Sequence, residues 1–156
     1  MRNVLKSSAV VLAAMIVATP PVAADHHAPG ADGPLLDAGT LERLAGNSGI
    51  TLQWISWEDR GVAMVRSLPD GTVRLSGGQI DPKGAGTLWL DGEVVEAGPD
   101  YFVLDGLIRI SETPDAGRVC QANKQWRFAI TQNRKYYRLR EFEWCDGLTD
   151  YIDIYF

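Results

Sequence analysis

From residue 51 onward, apolar and polar positions alternate in short runs, the period-2 pattern of half-buried strands. The runs fall at 51–58, 62–68, 72–80, 87–97, Tyr101–Ser111, 125–131, 136–144 and 149–156. Pro69-Asp70-Gly71, Gly98-Pro99-Asp100, residues 132–135 and Asp146-Gly147 supply turns between them. No helical periodicity interrupts the series, which predicts an all-β, antiparallel, eight-stranded up-and-down meander rather than a parallel α/β fold. Ahead of it, Leu41 and Leu44 share one face of a short helix, with Asp37 or Thr40 as N-cap and Gly46 just past its end.

The turns also predict register, because a slip of one residue would move every side chain to the other face. A two-residue loop at Asp146-Gly147 sets Leu139 against Ile154, Tyr137 against Phe156 and Glu141 against Ile152, with Arg140 opposite Asp153 on the other face. A four-residue loop at 132–135 sets Ile130 against Tyr137, Phe128 against Leu139 and Trp126 against Glu141. Both place one apolar surface across three strands. In the earlier hairpin, a three-residue loop at Gly98-Pro99-Asp100 pairs Val94 with Leu104, Leu90 with Ile108 and Gly92 with Gly106. The opposed glycines predict a sharp bend in both strands.

One-sided amphipathic strands in such a meander close as a barrel or pack as a sandwich, and short sequential turns favour the barrel. The chain then resembles the small calycin-like barrels of the lipocalin and avidin class. Its short helix, the Leu44-Ala45-Gly46 segment and Trp54 on the first strand are similar to a lipocalin opening. The lipocalin Gly-x-Trp is absent, since Asn47-Ser48-Gly49 follows Gly46, and no biotin-contacting pattern can be placed. The resemblance is one of architecture over residues 35–156, and it implies a fold rather than a ligand.

The first 24 residues follow another grammar. Arg2 and Lys6 precede an apolar run at 9–18, and Val22-Ala23-Ala24 offers small residues at a cleavage site, the layout of a secretory signal peptide. Ten apolar residues are too few to cross a bilayer, which takes about 20. Residues 25–34 are polar and rich in glycine and proline and read as a disordered linker, leaving 35–156 as a single barrel domain. The whole chain has 15 Lys+Arg and 20 Asp+Glu; removing Arg2 and Lys6 leaves 13 against 20, a formal −7. An acidic chain bound for the periplasm or beyond is a poor partner for nucleic acid. After leader cleavage it holds no integral membrane segment. Its two cysteines, Cys120 and Cys145, predict a disulfide in that oxidising compartment.

The chemical inventory is thin. The chain's two histidines, His26 and His27, lie in the linker, so a histidine-dependent triad or zinc site inside the barrel is excluded. There is no P-loop or dinucleotide fingerprint, and no cofactor is implied. Cleavage after Ala24 would start the mature chain Asp25-His26-His27. A histidine third from a free amine resembles the amino-terminal copper- and nickel-binding motif; the alternative is an inert linker. Within the barrel, Glu141 is placed on the inner face between Trp126 and Ile152. Lys124, Glu143 and Asp150 fall in one row beyond it. Together they predict a polar mouth for a small ligand, unless a bulge turns Glu141 outward or Lys124 neutralises it. Residues 117–140 carry seven basic side chains and no acid, and the last 16 residues carry five acids and no base. Cross-strand pairing accounts for that asymmetry, or a basic ridge awaits an anionic envelope component. The leading expectation is a binding protein for a small ligand or an envelope component. A structural or interaction protein with a filled core is the alternative, and a carboxylate-dependent hydrolase a third reading.

Overall fold

Why the strands close, and how, is visible in a computed structural model that describes residues 35–156; the signal-peptide, linker and Asp25-His26-His27 readings lie outside the described residues. Helix α1 (Ala38–Ala45) is followed by β1 (Gly49–Leu52), β2 (Val62–Ser67), β3 (Val73–Ile80) and β4 (Thr87–Gly98). Then come β5 (Tyr101–Ser111), β6 (Val119–Ala129), β7 (Tyr136–Leu139) and β8 (Ile152–Tyr155). All neighbours are antiparallel, in the order β1-β8-β7-β6-β5-β4-β3-β2, and the sheet is a nearly closed eight-stranded barrel. The Cys120–Cys145 disulfide is present.

The seam between β1 and β2 is closed by little backbone and by the side-chain amides of Asn47 and Gln79. Ile50 and Gly61 exchange N–H to carbonyl bonds of 3.2 and 2.8 Å. Across the seam a Cβ on Gly49 would lie 2.4 Å from the Gly61 carbonyl oxygen, so only glycine lets β1 approach there. Beside it the buried Gln79 takes the Leu52 N–H on Oε1 and donates Nε2 to the Ser56 and Asp59 carbonyls at 2.9 and 2.7 Å. Its amide stands in for the missing ladder.

Helix α1 covers one end of the barrel. Asp37 is its N-cap, accepting from the Thr40 N–H, and Leu44 is fully buried. Thr40 Oγ1 donates to the Gly98 carbonyl at 2.6 Å, and the Tyr137 hydroxyl joins Thr40 to the Arg43 Nε.

The β4–β5 register is the predicted one, Val94↔Leu104, Leu90↔Ile108 and Gly92↔Gly106, and a bulge between Val94 and Glu96 shortens the turn to Pro99-Asp100. A Cβ on Gly106 would lie 2.4 Å from the Gly92 Cα, the close approach of two bent strands. Phe128↔Leu139 in β6–β7 also matches the predicted register.

The β7–β8 hairpin does not. Tyr137 pairs with Ile154 and Arg138 with Asp153, two residues from the predicted alignment. The cause is that β7 stops at Leu139 and residues 140–151 form an irregular loop rather than a hairpin closed at Asp146-Gly147. An even shift keeps each side chain on its face, so the core pattern survives the error. β6 also starts earlier than predicted, at Val119, and is paired with β5 along its whole length.

The interior is packed with side chains. Leu75, Leu90, Phe102, Leu104, Ile108, Trp126, Phe128, Tyr137, Leu139, Ile152 and Ile154 have no accessible surface at all, which means that no water-sized space touches them. Phe102 stacks on Phe128 at 4.9 Å and meets Tyr137 edge-on, and the Trp126 indole N–H donates to the Gly106 carbonyl at 2.8 Å.

Candidate functional site

Three of the predicted site residues meet, but at the surface. β7 ends where the Arg140 N–H donates to the Arg127 carbonyl; beyond that bond the chain turns away, and Glu141 leaves the interior with it. Glu141 is therefore not buried between Trp126 and Ile152: it is 47% exposed and ion-paired with Lys124, itself 40% exposed. Lys124, Glu141 and Glu143 line an open depression of about 340 Å³ together with Arg140, Phe142 and Trp144. Trp126 lies beneath it in the core, with the Lys124 ammonium 4.4 Å from its ring centre and Trp144 edge-on at 5.0 Å. The Trp144 indole N–H is buried and has no hydrogen-bond partner.

Asp150 is not in that row. It is completely buried and forms an ion pair with Arg118, which is 5% exposed. Arg118 donates to both Asp150 oxygens at 3.0 and 2.9 Å, to both Asp146 oxygens at 2.8 and 2.9 Å, and to the Thr113 carbonyl. The Trp54 indole N–H adds a bond to Asp150 Oδ1, and Thr113 Oγ1 returns one to the Trp54 carbonyl. Hydrogen bonds from Arg118 hold the Asp146 carboxyl down to about 2, and the two carboxylates, Asp146 foremost, raise the guanidinium further above its ordinary range. This network ties the first turn after β1, the β5–β6 connection and the 140–151 loop into one closed end. It is a structural lock.

The outer wall of β6, β7 and β8 carries arginines and aromatic rings in alternation. Arg138 makes a two-pronged bond to the buried Asp153 at 2.7 and 2.6 Å and lies 4.1 Å from the Tyr151 ring centre. Burial pushes the Asp153 carboxyl up, outweighing the bonds from Arg138. Arg127 lies 3.6 Å from the Tyr101 ring centre, Arg60 3.9 Å from that of Tyr155, and Arg140 5.5 Å from that of Phe142. Such contacts orient the guanidinium; Arg138 spends its edge N–H groups on Asp153, and Arg60 donates one to the Ser48 hydroxyl.

The family model for PM1083 matches residues 32–156, the whole described barrel. The chain belongs to the PM1083 family. It is 30% identical over 116 residues to a Pasteurella multocida (strain Pm70) protein described as "Uncharacterized protein PM1083", an alignment covering 73% of this chain and 74% of that one. No solved structure matches.

In this PM1083-family barrel the residues that sequence reasoning missed are Arg118, as the counter-ion of Asp150, and Gln79, as the closure of the seam. A signal for Arg118 was there: it stands two residues before Cys120, and Asp146 follows Cys145, so the disulfide by itself brings the two charges together. Because the Lys124–Glu141 pair is exposed, Glu141→Gln is expected to change stability by less than about 1 kcal/mol. Calorimetric melting of the two proteins checks this, and a loss of several kcal/mol would contradict the surface placement.

Proposed function

We propose that the protein is an exported interaction module that binds an envelope component through its outer wall, not a carrier that holds a ligand inside. The observation that supports this most is the filled interior. A small eight-stranded barrel either packs its lumen with side chains or keeps it for one ligand, and here the inward aromatics occupy it. The depression beside Lys124, Arg140 and Trp144 and the arginine–aromatic wall next to it are on the outside. Export is supported by the leader pattern at 1–24 and by the disulfide. Among the described residues no helix is long and apolar enough to cross a membrane.

The test uses protein recovered from the periplasm, whose intact mass is expected to begin at Asp25. Titrated with a sixteen-carbon fatty acid and with a planar aromatic dye, it is expected to show no saturable change in the backbone amide resonances of Leu104, Phe128 or Ile154. Stoichiometric shifts at those core residues would overturn the outer-wall reading.

A further inference from the structure

The seam leaves one strand edge open. Ile50 and Gly61 form its one backbone bridge, and past that bridge β2 runs on for six residues with β3 on one side alone. Which groups face outward follows from two bonds. The Leu68 N–H donates to the Thr72 carbonyl, so in the alternation of an antiparallel pair Val62, Met64 and Arg66 also bond to β3. Residues 61, 63, 65 and 67 point the other way, as the Gly61 bridge and the 2.9 Å bond from Asn47 Nδ2 to the Ala63 carbonyl show. Among the described residues, the Ala63 N–H and the N–H and carbonyl groups of Val65 and Ser67 have no hydrogen-bond partner. An open edge is a template for another strand, and proteins guard it with proline, bulges or rows of charge. β2 has no proline and no bulge, and Arg66 is its one charge. Its outward positions are apolar instead: Val62 is 64% exposed, Met64 45% and Leu68, just past its end, 40%.

We propose that β2 pairs with β2 of a second copy of this chain, antiparallel about a two-fold axis at Val65. The strand's own sequence selects this partner and this register. An axis at Met64 would set Ser67 of the second copy against Gly61, whose backbone groups Ile50 already uses. An axis at Arg66 would set the two guanidiniums directly opposite, which destabilises a strand pair. An axis at Ser67 would bring Pro69, which has no N–H, against Val65. At Val65 none of these conflicts arises. The two Val65 residues exchange N–H to carbonyl bonds, and each Ala63 N–H reaches the Ser67 carbonyl of the other copy. On the outer face Val62 meets Leu68 and Met64 meets the aliphatic stem of Arg66, so the exposed apolar side chains of the edge cover one another. The pairing is isologous and uses the open edge of both copies, while Gly61 stays bridged to β1, so assembly stops at two.

Sedimentation equilibrium of the full exported chain tests this. The chain is expected to pass from monomer to dimer, and no further, with a Kd of about 10–100 µM, as suits an interface one strand wide. Amide exchange at Val65 is expected to slow as the dimer fills. Met64→Lys, which sets an ammonium against Arg66 twice by symmetry, is expected to weaken the dimer about fivefold or more. Met64→Glu in the same place is expected to tighten it, and both variants melt within a few degrees of the parent in dilute solution. Trp89→Ser, on the exposed outer face of β4 away from the edge, leaves the Kd unchanged. A chain still monomeric at about 1 mM, a dimer indifferent to charge at position 64, or one lost with Trp89, which would mean face-to-face packing, overturns the inference. So does a monomer whose Val65 amide resonance shifts only on adding an alternating Thr-Val decapeptide, since the edge would then belong to a foreign strand. The core-resonance titration is independent of all these, because it reads a ligand and not self-association.

Discussion

Replacing Arg118 by methionine is expected to destabilise the folded protein by about 3–5 kcal/mol, a large share of the stability of a domain this size. The substitution leaves Asp150 fully buried without its counter-ion, held by the Trp54 indole N–H alone among the side-chain donors it had. What is lost is chiefly the protection of a buried charge. The double variant Arg118→Met/Asp150→Leu, which removes both charges and fills the space, is therefore expected to recover most of the loss. Urea unfolding of the three proteins decides the matter, and a single variant within about 1 kcal/mol of the parent would show that Asp150 has access to water. The same network predicts a pH dependence. Asp146 is depressed on folding, so its contribution is complete above its ordinary value of 3.8 and is lost as pH falls toward about 2. Arg118→Met is expected to flatten the fall of stability across that window.

Loss of the Cys120–Cys145 bridge is the second large effect. It closes a loop with a sequence separation of 25, worth about 3–4 kcal/mol in the chain-entropy picture. Cys120→Ser/Cys145→Ser is expected to lower the melting temperature by roughly 10 °C. Residues 119–125, on the Cys120 side of the bridge, are held by an unbroken ladder with β5. Faster amide exchange is expected instead across 140–151, the irregular loop that the bridge pins to the start of β6. Arg118 holds the same loop through Asp146, two residues from one cysteine and one from the other. The two losses are therefore coupled, and the triple variant should fall short of their sum. Additive losses would mean that bridge and ion pair restrain different segments.

Alternation, turn chemistry and cysteine count are local properties, and they determined most of this fold. They predicted the short helix, with Asp37 as one of two candidate caps, the antiparallel meander, the β4–β5 and β6–β7 registers and the disulfide, because a tight turn fixes register and the apolar face checks it. They failed where the chain stops obeying local rules. Asp146-Gly147 has the composition of a hairpin turn, yet Arg118 and Cys120 draw that segment into a loop, and β7 ends at Leu139. With the strand gone, Glu141 moves outward to Lys124, and Asp150, unremarkable in an acid-rich tail, becomes the buried charge. The filling of the lumen was equally out of reach, since inward aromatic rings can line a cavity or fill it depending on barrel radius and strand tilt. Those are decided by how the strands bend at Gly92 and Gly106 and by how closely Gly49 lets β1 approach Gly61, quantities set by the closed sheet and not by any stretch of sequence.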